Sequence, residues 1–175
     1  MSIVIVKANV SHCHSWSKAF DSVCLERNFL DVIELWNDEE KLSWCMAKFV
    51  LKNPFFVAID NNEVVGWAEV TRKIGVSLKH RGELSIGIIK SHRGLGLGKK
   101  LMQTVLEEAQ REGFSKVELK VRADNVPAVE LYLSYGFEFE GCIKEAIKLD
   151  GNTINQLEMG RTLNGTTINR TGTNV

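Results

Sequence analysis

The chain has no excess of charge, no long apolar run and no paired cysteines. Its 22 Lys and Arg balance 22 Asp and Glu, so no global basic field argues for nucleic acid or an anionic membrane surface. No stretch approaches the roughly 18 apolar residues of a membrane span, and the N-terminal stretch lacks a signal-peptide pattern. A cytoplasmic protein is the expectation. Cys13, Cys24, Cys45 and Cys142 are widely spaced and form no CxxC, which points to free thiols of a reducing compartment. His12-x-His14 has no Cys or acidic partner at a ligand-like spacing, so two surface histidines are expected and no metal. No internal repeat or interdomain linker is visible. The 175 residues are one domain's worth, expected over residues 1–163, with 164–175 a loose Asn, Thr and Gly tail.

What is present centres on Arg93-Gly94-Leu95-Gly96-Leu97-Gly98-Lys99. The apolar run Leu84-Ser85-Ile86-Gly87-Ile88-Ile89 leads in and reads as a buried strand. Leu97, Leu101, Met102, Val105, Leu106 and Ala109 lead out as the one-sided stripe of an amphipathic helix. Glycines between strand and helix let consecutive N–H groups face one hollow, with the positive end of the helix dipole behind them. A pyrophosphate suits that hollow. The dinucleotide fingerprint fails on spacing, because the sixth place falls on Lys99 or Leu101. The P-loop fails too, with Arg93 in place of its first glycine and Lys100 in place of its hydroxyl residue.

The remaining elements follow from pattern. Ile3–Val6 reads as a strand and 11–27 as a helix with Trp16, Phe20, Val23 and Cys24 on one face. A second helix is expected from the acidic Asp38-Glu39-Glu40 to about Lys52, before Pro54. Phe55–Ile59 and Val64–Val70 form a hairpin across Asp60-Asn61-Asn62, and 73–81 is loop-like. Gly113 stops the long helix, Lys116–Val121 is a strand, and Pro127 opens a short helix closed by Gly136. Two strands, about 137–149 and 154–162, join across Asp150-Gly151.

Arg93, Gly96 and Gly98 in an Arg-x-x-Gly-x-Gly spacing between strand and helix resemble the pyrophosphate loop of the GNAT acetyltransferases. Asn125, Ala128, Leu131, Tyr132 and Gly136-Phe137 resemble the second signature of that superfamily, in the right order. The resemblance covers about residues 3 to 163. The stretch 136–141 with Lys144, Asp150-Gly151 and Met159 looks like the branch that acetylates amino acids, small amines or protein N-termini.

The resemblance implies an α/β (α+β) fold: a twisted mixed, mostly antiparallel sheet of six or seven strands with helices on both faces. Two central parallel strands, Glu83–Ile89 and Lys116–Val121, would splay and admit acetyl-CoA as cosubstrate. Pantetheine amides would replace the lost strand partners at Ile86 and Ile88. The loop Arg93, Gly94, Leu95, Gly96, Leu97, Gly98 and Lys99, with Asn125, Ala128 and Tyr132, would hold the rest.

The implied activity is acetyl transfer to a primary amine by direct attack in a ternary complex. A primary amine of pKa ~10.4 must lose a proton first, and the thiolate leaving group comes from a thiol of pKa ~8.5. Tyr132 is the candidate donor to sulfur, or else an aromatic packing residue. The base is Glu83, with His80 or a water chain as rivals. Glu26, Phe29, Trp36 and Trp67 are the candidate acceptor walls, or else packing residues. The acceptor is a small-molecule amine or a peptide N-terminus, with no nucleic acid or membrane partner. The resemblance also allows a homodimer. The rival class is an acyl-CoA sensor without chemistry, and a protein N-terminal acetyltransferase is the rival within the enzyme class.

Overall fold

The computed structural model describes residues 3–30, 37–50 and 53–163. Trp36 and the C-terminal stretch 164–175 lie outside the described residues. Among the described residues, four helices flank one sheet: α1 (Cys13–Cys24), α2 (Asp38–Val50), α3 (Leu97–Arg111) and α4 (Val126–Ser134). The strands are β1 (Val4–Lys7), β2 (Phe55–Asp60), β3 (Glu63–Arg72), β4 (Arg81–Ile88), β5 (Lys116–Arg122), β6 (Glu138–Leu149) and β7 (Asn152–Thr162). Their order is β1-β2-β3-β4-β5-β7-β6, antiparallel everywhere except between β4 and β5.

Local chemistry explains the hairpins. Asn61 and Asn62 have φ of 49° and 66°, and Asp150 and Gly151 have 50° and 83°. Two successive left-handed residues match the right-handed twist of the strands they join, and Asn, Asp and Gly tolerate them best.

Alternation along the strands then separates two cores. Trp16, Phe20 and Cys24 of α1 and Cys45 of α2 pack with Phe55, Val57 and Trp67 on one face. Leu101, Met102 and Val105 of α3 and Tyr132 of α4 pack with Ala68, Val70, Leu84, Val117 and Leu119 on the other. Helices thus cover both faces, and β2 and β3 alternate between the two cores, whereas β6 is mostly exposed.

Several boundaries differ from the sequence reading. A 3-10 turn at Val10–His12, capped by Asn9, precedes α1, which starts only at Cys13. Arg81 belongs to β4 and not to the loop, because it pairs with Lys116 and binds Glu118 through two nitrogens at 3.0 and 2.6 Å. Among the described residues, no helix is long and apolar enough to cross a membrane. All four cysteines are free, three of them buried and Cys142 exposed.

Candidate active site

The parallel pair is short. β4 and β5 match only at Arg81–Lys116, Gly82–Val117 and Glu83–Glu118, after which the two strands part. On its other side β4 stays paired with β3 as far as Ile88. The N–H of Val70 goes to Pro54 on the β2 side, so the Val70–Leu84 pair is not hydrogen-bonded. By the alternation of an antiparallel ladder, Leu84, Ile86 and Ile88 turn their main-chain groups away from β3 into the space β5 vacates. The Ile88 carbonyl accordingly accepts from Nε of Arg93 at 2.9 Å.

A groove of about 720 Å³ fills this gap. One side is the glycine loop and the first turn of α3, contributed by Gly94, Gly96, Leu97, Gly98 and Lys99. Gly94 and Gly96 have φ of 76° and 73°, and a Cβ on either would meet nothing within 4 Å. Glycine is there for its backbone conformation and leaves the space above it open. Gly96 is also the N-cap of α3, with no side chain to bond the first turn. The first intrahelical N–H is that of Lys100, donating to Gly96 at 3.3 Å. The preceding amides face the groove without helical partners.

α4 forms the second side. Asn125 caps it, its Oδ1 accepting from the Ala128 N–H at 3.4 Å, with Pro127 in the first turn. That start places Ala128, Leu131 and Tyr132 on the groove. Tyr132 is 7% exposed and its ring packs against Phe137 at 5.9 Å. Its hydroxyl has no hydrogen-bond partner among the described residues, and burial pushes its pKa up. It therefore stays a neutral donor. Tyr135, one residue past the helix, donates to the Lys99 carbonyl at 2.7 Å and ties α4 to the glycine loop.

α1, α2 and the connection after α1 form the third side, through Phe20, Val23, Phe29, Leu30 and Trp44. Glu83 stands at the closed end of the groove, where the strands diverge, and its carboxylate binds Nζ of Lys73 at 2.6 Å. Lys73 reaches Glu118 as well, at 3.0 Å. Burial opposes both charges, yet those hydrogen bonds raise Lys73, and with Arg81 they lower Glu118.

The structure thus gathers Glu83, Ile86, Ile88, Arg93, Gly94, Gly96, Leu97, Gly98, Lys99, Asn125, Ala128, Tyr132 and Phe29 around one groove. Four expected residues sit elsewhere. Trp67 is a correction: its indole is fully buried between Trp16 and Phe20 and lies under Gly87, in the core and not in the wall. Leu95 is 63% exposed and does not line the groove. His80 is exposed and lies off the groove. Glu26 is held bidentately by Arg93, at 2.7 and 2.5 Å, behind the wall and not in it. Arg93 is equally committed, its guanidinium stacked 4.4 Å from the Phe29 ring. Sequence reasoning missed Trp44, Val23 and Phe20 as wall residues. For Phe20 and Val23 the signal was present in the buried stripe of α1, but the same stripe serves core and groove.

Residues 15–137 match the family model for the Acetyltransferase (GNAT) family. The chain belongs to that family. A GNAT acetyltransferase takes its acetyl group from acetyl-coenzyme A. Among relatives, the chain is 28% identical over 114 residues to an L-methionine sulfoximine/L-methionine sulfone acetyltransferase of Salmonella typhimurium, covering 62% of this chain and 67% of that one. It is 27% identical over 109 residues to the L-amino acid N-acyltransferase MnaT of Escherichia coli, covering 59% and 63%. The matched stretches therefore span about two thirds of those relatives' lengths. A phosphinothricin acetyltransferase from Sinorhizobium meliloti, solved with acetyl-CoA, shares the fold with a TM-score of 0.87 at 21% identity, covering 95% of this chain and 91% of that one.

Proposed function

We propose that this GNAT acetyltransferase moves an acetyl group to the primary amine of an amino acid or another small amine, by direct attack in a ternary complex. The observation that carries the reading is the break in β4–β5 pairing beside an open, uncapped glycine turn. Unpaired strand amides and helix-start amides line one groove there, and both demand polar guests. A pantetheine arm and a pyrophosphate meet those demands. The curated relatives named for amino-acid acylation support the acceptor class.

Bound acetyl-coenzyme A would supply the activated acetyl group and a thiolate leaving group. Gly94, Gly96, Leu97, Gly98 and Lys99 hold the diphosphate by main-chain N–H groups, and the exposed Lys99 adds its charge. Asn125 and Ala128 fix the start of the helix that carries Tyr132. The main-chain groups of Ile86 and Ile88 orient the acyl arm, and an N–H here stabilises negative charge developing on the carbonyl oxygen. Glu83 takes the amine proton directly or through water. It suits the role better than His80 because it borders the groove. Tyr132 donates a hydrogen bond to sulfur as the carbon–sulfur bond breaks. A phenol is a weaker acid than a thiol by about 1.5 pKa units even before burial, so full transfer comes late.

The test is calorimetry with coenzyme A, followed by thiol release in the presence of amines. Tight binding with amine-dependent release is expected. Binding without release from any amine or peptide would leave a sensor, and absence of binding at millimolar ligand would remove the reading altogether.

A further inference from the structure

The third side of the groove carries information about the acceptor that the cofactor reading does not use. Among the described residues it is apolar: Phe20, Val23, Phe29, Leu30 and Trp44. Trp44 is held from behind by aromatic packing, 5.2 Å from Trp16 and 6.1 Å from Phe20. Nζ of Lys48 lies 3.1 Å over the Trp44 ring and binds the buried Glu69, so this cation faces inward. Among the described residues, this wall contributes no charged side chain to the groove.

Arg93 packs on the Phe29 side of that wall, and each of its three guanidinium nitrogens already donates a hydrogen bond. Nε donates to the Ile88 carbonyl at 2.9 Å, and the two terminal nitrogens hold Glu26 at 2.7 and 2.5 Å. The planar fork that would read an acceptor carboxylate is filled by a carboxylate of the protein. Stacking on Phe29 turns the pair into a strut for the wall. The other cations bordering the groove are Lys99, in the first turn of α3, and Lys120 of β5, which pairs with Glu158 at 3.6 Å.

Resting on the acetyltransferase reading, we infer that the acceptor is a small primary amine with a bulky, uncharged apolar substituent, and that no carboxylate on it is read by Arg93. The apolar substituent lies against Phe29 and Trp44, and the amine faces Glu83. A charged substituent would leave an unpaired ion against this wall, which is costly to desolvate. Burying a ring or branched chain there favours the bulky amine by about ten- to a hundredfold.

The experiment measures kcat/KM by thiol release for phenethylamine, phenylalanine amide, phenylalanine, glutamate and 1,4-diaminobutane, with coenzyme A affinity measured by calorimetry. The three aromatic amines should exceed glutamate and diaminobutane by about tenfold or more, and phenylalanine should not exceed its amide by more than about threefold. Preference for glutamate or the diamine overturns the inference, as does a tenfold advantage of phenylalanine over its amide. Phe29→Ala should raise KM for phenethylamine about tenfold with coenzyme A affinity unchanged, whereas unchanged KM removes the wall from recognition. Turnover with the wrong amines sinks this inference alone. Coenzyme A binding without any turnover sinks the acetyltransferase reading, and the inference with it.

Discussion

Glu83 and Glu118 face each other at the last matched position of the parallel pair, and one residue beyond them the sheet opens. Lys73 bridges the two carboxylates and Arg81 holds Glu118 a second time. Two like charges side by side on adjacent strands would repel. The bridging cations let them mark the closed end of the groove without prising the strands apart there.

Tyr132→Phe separates chemistry from packing. The hydroxyl has no protein partner among the described residues, so its loss leaves no buried group unsatisfied. The melting temperature and coenzyme A affinity should stay within error, while kcat falls by about a hundredfold. A stopped assay of thiol release and a thermal melt check both halves. Unchanged kcat with every accepted amine would return Tyr132 to a packing role.

Gly96→Ala tests the diphosphate turn. At φ of 73° a non-glycine residue costs about 1–2 kcal/mol, although the added methyl meets no atom within 4 Å. The substitution should weaken coenzyme A binding by about tenfold or more, because the loop relaxes away from the conformation that aims its amides inward. Calorimetry reads this directly, and circular dichroism should show an intact fold.

Gly87→Ala tests the relocation of Trp67. A Cβ at Gly87 would stand 2.2 Å from the indole Cη2, so strand or ring must shift. Destabilisation of about 1–3 kcal/mol is expected in urea unfolding. Equal stability to the parent would show that Trp67 does not lie under β4.

The buried Lys48–Glu69 pair predicts a pH dependence. Burial lowers Lys48 and raises Glu69, each partly countered by the other's charge. Lys48→Met strands the carboxylate in the core and should cost about 3–5 kcal/mol at neutral pH. The folded variant then binds a proton at Glu69 more tightly than the unfolded chain, whose carboxyl has a pKa of ~4.3. Stability is therefore present at low pH and lost as pH rises through the raised folded value. The deficit should be larger at pH 8 than at pH 5. Lys48→Met with Glu69→Leu should recover most of it, since no charge remains buried.

Much of the architecture was legible from local pattern. The Asn61-Asn62 and Asp150-Gly151 turns, the apolar stripe of α3 and the Asn125-Val126-Pro127 start of α4 each state their conformation within a few residues. Propensity, capping and periodicity act over such distances. The glycine turn at Gly94 and Gly96 was legible for the same reason, because a left-handed backbone selects its residue type directly.

The packing of Trp67 and the pairing of Glu26 with Arg93 were not legible, and for a shared reason. Whether a tryptophan on a strand enters core or groove depends on what covers that face, and here Gly87 on the next strand and Trp16 on α1 decide it. Whether an arginine in a phosphate-type motif points at phosphate depends on competing acceptors, and Glu26 lies 67 residues away in sequence. The sequence by itself determined the elements, the family signatures and the glycine turn before α3. Only the tertiary structure decided which side chains share the groove, because that follows from long-range packing and charge pairing that no local window contains.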